Sequence, residues 1–197
     1  MIAPRWRKIF RDLWDNKART ILVTLSIAIG VAAIGMVTGT YAVITRELPQ
    51  QYDAVAPANA SFLLTPFNED FVRVVRLIPG VQSAEGRFTT QVRMQLGPTN
   101  WKVLSLTAFS DFNHIQINKI FPVSGAWPPA AKELILERSS MQLLGLSVGE
   151  KVVIKNPNGI ERILKIGVVA HDLNKPSASF TNQVSGYISI KDLDWLG

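Results

Sequence analysis

Apolar positions fall into three regimes along this chain. In the first, Trp6, Ile9, Phe10, Leu13 and Trp14 recur at i, i+3, i+4, i+7 and i+8, one face of a helix, while Arg5, Arg7, Lys8, Arg11, Asp12 and Asp15 fill most of the rest. In the second, Ile21 to Ile44 forms 24 residues without a charge. About 20 apolar residues at ~1.5 Å rise cross a ~30 Å hydrocarbon core, so this run is long enough to span a bilayer with some tilt. In the third, beyond residue 48, apolar positions come in short segments separated by Gly, Pro and Asn, the pattern of a globular domain with strands and short helices.

Within that third region the residues from 52 to 59 read as a connector and Ala60–Thr65 as a strand ending at Pro66. Asn68 supplies a helix N-cap with Glu69 and Asp70 in the first turn; Phe71, Val74, Val75 and Ile78 share a face, and Pro79-Gly80 stops the helix. Val81–Leu96 and Trp101–Phe109 read as long strands joined at Gly97–Asn100. Strand, helix and paired strands in this order predict a βαβ-type layer with the helix on one sheet face. Residues 111–121 are irregular, and Gly125-Ala-Trp-Pro-Pro129 reads as a turn. A strand at Glu133–Leu136 leads to a short helix from Ser139, its N-cap, to Leu144. Val152–Lys155 and Ile160–Val169 form a hairpin through Asn156-Pro-Asn-Gly159, since Asn-Gly between alternating apolar runs is a strong turn signal. Residues 172–183 read as a mobile polar loop and Tyr187–Ile190 as a last strand.

Charge changes this picture by orienting it. Arg5, Arg7, Lys8, Arg11, Lys17 and Arg19 precede the apolar run against two acids, whereas Arg46 and Glu47 after it cancel. An excess of Lys and Arg keeps its flank in the cytoplasm. The expected organisation is a cytoplasmic or interfacial amphipathic helix (1–20), a transmembrane helix (21–48) and an extracytoplasmic domain (49–197). The expected fold class is accordingly an α+β extracytoplasmic domain, a βαβ-type layer plus a small mixed β subdomain, anchored by one N-terminal transmembrane helix in the inner (plasma) membrane. A cleavable leader competes with the anchor, because Thr40-Tyr41-Ala42 and Ala58-Asn59-Ala60 fit small-x-small sites. The first needs an apolar stretch beyond the usual length, and the second lies too far past its end. Trp6, Phe10 and Trp14, with the six cations, suit the headgroup boundary and membrane lipid; packing on a cytoplasmic partner is compatible. Ala28, Ala32, Gly35 and Gly39 form a stripe of small residues on the span, the kind that lets helix backbones approach in lipid.

Composition narrows the chemistry. The formal charge of +6 resides mostly in the first 20 residues, and no basic stripe with interleaved aromatics follows, which argues against nucleic acid as a partner. Cysteine is absent, so neither a disulfide framework nor a thiolate metal site exists. No GxxxxGK[ST] loop occurs: Gly145-Leu-Ser-Val-Gly149-Glu-Lys151 has the wrong spacing, so ATP is not expected to bind this chain. His114 and His171 are far apart. Ser139 and Ser140, with Lys132 and Lys151, raise a membrane-anchored Ser/Lys hydrolase, but no nucleophile turn or oxyanion glycine cluster supports it. The expectation is a non-enzyme with no catalytic, cofactor-binding or metal residues.

Three segments resemble a known family. Arg11-Asp-Leu-Trp-Asp-Asn-Lys-Ala-Arg-Thr20 running into Ile27-Ala-Ile-Gly-Val-Ala-Ala33 resembles the start of MacB/FtsX-type ABC transporter permeases. Glu133-Leu-Ile-Leu-Glu-Arg-Ser-Ser140 with Leu144-Gly-Leu-Ser-Val-Gly-Glu-Lys-Val-Val153 is similar to that family's stretch in its extracytoplasmic core domain. Leu164-Lys-Ile-Gly-Val-Val169 is similar to a later strand. The resemblance implies a large outer domain between a first and a second span, a second permease copy or paralogue, and an ABC ATPase subunit that binds the ATP. It also implies a membrane-fusion or adaptor protein as a further partner. ATP-driven motion would pass through the membrane to the outer domain, to export or extract a substrate. Such permeases carry three further spans, so the expectation is an N-terminal portion with an incomplete outer domain; Gly125–Pro129 also departs from the family's usual step there. The alternative is a stand-alone bitopic binding or adaptor protein without an ATPase.

Overall fold

The computed structural model describes residues 14–65 and 67–197, without the side chains of residues 47–53. Two compact units divide the chain, Met1–Gln51 and Tyr52–Gly197.

The first unit consists, over its described residues, mainly of helix α1 (Lys17–Val55), whose last residues belong to the second unit. Its apolar side chains from Ile21 to Ile44 stand exposed. The hydroxyls do not contradict a hydrocarbon setting. Thr24, Ser26, Thr38, Thr40 and Thr45 each donate to the carbonyl four residues earlier, at 2.7–2.9 Å, so none is left unsatisfied. The helix continues well past Ile44 and runs through residues 52–55, where a connector was expected; the chain breaks at Ala56, whose φ is +49°.

The second unit is built on one mixed sheet. Its strands are β1 (Phe88–Gln95), β2 (Trp101–Phe109), β3 (Phe121–Gly125), β4 (Glu133–Glu137), β5 (Lys151–Lys155), β6 (Glu161–His171) and β7 (Val184–Ser189), in the order β3-β6-β4-β7-β2-β1-β5. An additional β5–β6 pairing joins the two ends, so six strands close into a ring and β3 lies on β6 outside it. Most neighbours are antiparallel; β2–β7 and β4–β6 are parallel. Alternation sets the inside: Val92, Met94, Leu104, Leu106, Leu134, Leu136, Val152, Ile154, Leu164, Ile166 and Ile188 fill the main core. Each such burial contributes about 1.5–3 kcal/mol, which makes this ring the stable part of the unit.

Strand β6 serves both faces of the wall. Leu164 and Ile166 point into the main core, but Val168 and Ala170 join a second cluster with Phe109, Phe112, Ile120, Ile135 and Tyr187. The parity change follows from a bulge: Ile166 pairs with Leu134 and Val168 with Ile135, leaving Gly167 between. A Cβ at Gly167 would sit 2.2 Å from the Glu133 carboxylate, so only glycine fits there.

Three short helices complete the unit beside α2 (Glu69–Arg76): α3 (Arg138–Leu144), α4 (Ala178–Thr181) and α5 (Ile190–Leu196). Gly145 ends α3 at φ 65°, the left-handed cap expected from the sequence, but Ser139 does not start it. Glu137 is the N-cap: its Oε2 accepts from the Ser139 and Ser140 amides at 2.6 and 3.1 Å. The β5–β6 hairpin forms as expected, with Asn156 accepting from Gly159 and exchanging bonds with Ile160.

The expected βαβ-type layer does not form, and neither does a separate β subdomain, because all seven strands share one sheet. Ala60–Thr65 makes no ladder. Strand β1 carries β2 along its whole length on one edge and β5 against Arg93–Gln95 on the other. Helix α2 has its expected Asn68 cap yet buries no residue, and residues 81–87 stay outside any strand. Two further expectations change. Residues 121–125 form β3 rather than leading irregularly into a turn, and the last strand begins at Val184, with Ile190 opening α5. The loop expected to be mobile is tied down: Asp172 is buried under the Tyr187 hydroxyl, and the Ala178 amide donates to Ser139 Oγ at 2.8 Å.

Candidate functional site

Of the residues expected at the membrane boundary, Arg5, Trp6, Arg7, Lys8, Phe10 and Arg11 lie outside the described residues. Trp14 is exposed, with Lys17 Nζ 4.9 Å above its ring, and Arg19 follows two residues on. That places a cation and an indole side by side at the start of α1, a pairing worth about 0.5–1 kcal/mol when exposed. Ala28, Ala32, Gly35 and Gly39 lie exposed along α1, and a Cβ built at Gly35 or Gly39 meets nothing within 4 Å. The chain's own packing therefore does not require glycine there.

The second unit contains an arrangement the sequence did not announce, at the place where the chain leaves α1. Val55 is buried, at 2% exposure, and its carbonyl accepts from the Lys119 amide at 2.8 Å. The Ala56 carbonyl accepts from the Asn118 amide at 2.9 Å, and Asn118 Oδ1 accepts from the Ala58 amide at 3.0 Å. Three bonds thus staple residues 55–58 to a two-residue knuckle. Asn118 adopts φ +47°, a left-handed conformation that Asn tolerates better than other side chains.

Beneath the knuckle, Arg87 and Glu85 hold the same loop from the strand side. Glu85 Oε1 accepts from the amides of Gln116 and Ile117, and Arg87 donates to the carbonyls of Ile117 and Asn118. The two side chains pair at 3.1 Å and are mostly buried. The Arg87 guanidinium also stacks 4.4 Å from the centre of the Phe109 ring, in the second apolar cluster. A planar guanidinium can bond two carbonyls and stack on a ring at once, which lysine cannot. Residues 55–58 are therefore connected to β1 and β2 by a continuous set of charge-assisted and backbone bonds. The bonds to residues 116–119 each span 30 or more positions, so no local pattern could have exposed the joint.

The catalytic alternative does not assemble. Ser139 Oγ donates to Glu137 and accepts from Ala178, so it is fully engaged. Lys132 Nζ lies over Trp195, and Lys151 opens β5 on the surface. His114 bonds Asp111 at 2.6 Å on the surface; that bond, helped by the Asn113 amide, holds the Asp111 carboxyl below its usual range. His171 Nδ1 lies 3.7 Å from Glu137 Oε1, too far for a hydrogen bond. Burial first, then the negative Asp172 and Glu137, push the Tyr187 phenol far up, so it remains a donor to Asp172 at 2.6 Å. Among the described residues no group of three or more His, Cys, Asp or Glu could hold a metal.

No family model matches the sequence, and no curated relative matches it. Among solved structures, the chain is similar to the extracellular domain of the noncanonical ABC-type transporter YknZ from Gram-positive bacteria. The TM-score is 0.45 at 10% identity, over 72% of this chain and 73% of that one. It is also similar to the periplasmic region of MacB from Actinobacillus actinomycetemcomitans. There the TM-score is 0.44 at 10% identity, over 66% of this chain and 58% of that one.

Proposed function

We propose that this chain is a permease subunit of an ABC transporter and that its work is mechanical. The carrying observation is the exit of α1: an apolar helix whose serine and threonine hydroxyls bond back to the preceding turn runs on into residues whose carbonyls are stapled to Asn118 and Lys119. A displacement of residues 55–58 reaches the ring of strands through that staple and Arg87 rather than being absorbed by a slack linker. The basic residues before the span put its N-terminal side in the cytoplasm, where an ABC ATPase subunit binds the ATP. The outer domain then delivers the movement to a substrate that is exported or extracted. The resemblance of residues 11–33, 133–153 and 164–169 to MacB/FtsX-type permeases supports the same reading. Ala28, Ala32, Gly35 and Gly39 are the contact face for a neighbouring permease helix, and Trp14, Lys17 and Arg19 seat the helix start at the headgroups.

The test is affinity purification of the tagged chain from its native membranes, with the co-purifying proteins identified by mass spectrometry. An ABC-type ATPase is expected with the wild type and is expected to be lost with the pair Gly35→Leu and Gly39→Leu. Recovery without any ATPase would overturn the permease reading in favour of a stand-alone adaptor.

A further inference from the structure

We infer that residues 55–58 form a strained latch, whose release uncouples the exit of α1 from the ring of strands. The inference rests on the mechanical reading above, because it names the condition under which the joint stops transmitting.

The strain lies at Ala56. Among the described residues four other than glycine have positive φ: Ala56 at +49°, Asn118 at +47°, Lys132 at +61° and Asn182 at +56°. Asparagine tolerates the left-handed region, whereas alanine has no polar side chain to bond locally in compensation. Of the four, Ala56 alone precedes a proline, and the Pro57 ring pushes the residue before it toward extended backbone with negative φ. The local sequence therefore favours one conformation and the contacts impose another. A residue held in this way persists only while its surroundings over-determine it, and such residues cluster at switch regions.

Those surroundings are few. The Val55 carbonyl accepts from the Lys119 amide, the Ala56 carbonyl from the Asn118 amide and Asn118 Oδ1 from the Ala58 amide, all at 2.8–3.0 Å. Two of the left-handed residues, Ala56 and Asn118, are thus bonded to each other. Val55 adds a buried side chain, but residues 56–58 are half-buried, and residues 59–65 are exposed and outside any ladder. The other side of the joint is firmer: Glu85 and Arg87 hold residues 116–118, and Ile120 is buried in the second apolar cluster. When the joint gives way, residues 55–58 are the side that moves.

Two discrete states follow from the geometry. The φ of Ala56 sets the angle between the peptide unit carrying the Val55 carbonyl and the unit carrying its own. Swinging that φ to the extended region is roughly a half-turn, so both carbonyls cannot keep facing the adjacent amides of Asn118 and Lys119. The bonds therefore open together rather than stretching one by one. Once straightened, residues 56–58 span up to about 10 Å, enough slack to absorb a smaller displacement of α1. A closed latch passes the movement on; an open one does not.

Hydrogen exchange of the full detergent-solubilised chain, read amide by amide, tests this in the wild type, Ala56→Gly and Ala56→Val. The amides of Ala58, Asn118 and Lys119 report the latch, and the Ile166 amide, bonded to the Glu150 carbonyl at 2.8 Å, reports the ring. In the wild type the three latch amides are expected to share one protection, lower than that of Ile166 by about tenfold or more, the signature of a local opening. A left-handed alanine corresponds to a factor of about 5–30 in an equilibrium, of which glycine's freedom in the open state returns a part. Exchange of the latch amides in Ala56→Gly is therefore expected to slow by about fivefold, and in Ala56→Val, a branched side chain at positive φ, to quicken. An unstrained joint would do the reverse in Ala56→Gly, because glycine would then favour only the open state. Equal or faster exchange in Ala56→Gly, or latch amides that exchange together with Ile166 in the wild type, would overturn the inference. The ATPase pull-down separates the two claims. Recovered ATPase with a joint that loosens in Ala56→Gly sinks only the latch, whereas the expected exchange order without any ATPase sinks only the permease reading.

Discussion

Replacing Asn118 with alanine removes two things at once: the acceptor for the Ala58 amide and a side chain suited to φ +47°. The half-buried Ala58 N–H, left without its partner, costs about 1 kcal/mol, the low end for an orphaned donor. Forcing alanine into the left-handed region adds about 1 kcal/mol. Asn118→Gly keeps the backbone comfortable and loses only the bond, so its cost is about half as large. For a unit of this size each kcal/mol moves Tm by about 2–4 °C, which predicts a drop of about 4–8 °C for Asn118→Ala and about half that for Asn118→Gly. Near-ultraviolet circular dichroism of the detergent-solubilised chain reads this, with Trp101, Trp127 and Trp195 as reporters in the second unit. Hydrogen exchange at the Lys119 amide provides the local check, since its bond to the Val55 carbonyl should open more often in both variants. If alanine and glycine variants melted together, the conformational half of the reasoning would be wrong. If both melted with the wild type, the staple would contribute nothing and the transmission argument would lose its basis.

The remaining predictions concern the strands that the joint acts upon. Lys165, bonded at 2.8 Å, and the Ala130 amide hold the Glu133 carboxyl below its ordinary 4.5. A carboxyl depressed in the folded state stabilises fully above its unfolded value and loses that contribution as pH falls through the folded one. Thermal melts of Glu133→Gln should therefore lie below wild type at about pH 6 and converge with it toward about pH 3; a constant gap across that range would refute the assignment. Gly125→Ala should cost about 3 kcal/mol, because the new Cβ would meet the Gly167 carbonyl oxygen at 2.2 Å from a backbone at φ +98°. A denaturation midpoint that moved by less than about 0.5 kcal/mol equivalent would show that β3 is not held against β6 as described.

How far the residues announced their own structure depends on the range over which each decision is made. The apolar span, the Asn68 and Gly145 caps and the Asn-Gly hairpin are settled within a few residues, and all were legible. Ala60–Thr65 has the composition of a strand, but a strand exists only with a partner, and this segment pairs with none of the seven. The polar run from 172 to 183 looks unstructured until its partners are known, since Asp172, Ala178 and Asn182 are satisfied by Tyr187, Ser139 and Lys102. Strand β3 was hidden by Pro122 and by its exposed side chains, which carry no alternation. The joint at Asn118 was illegible for the same reason: Arg87, Glu85 and Val55 are brought together only by the finished ring. The residues proposed for membrane seating and helix contact rest on composition and spacing alone.

The parallel pairings β2–β7 and β4–β6 also dictate when this unit can become itself. Strand β2 must await β7, and β4 must await β6, so neither parallel pair exists until the later part of the polypeptide has been made. Until Val184 and its neighbours have arrived, β2 keeps an open, sticky edge. Folding dominated by such distant pairings is slow. A newly made copy is therefore vulnerable to proteases and to mispairing with other unfinished chains, and escort by a chaperone would shorten that exposure.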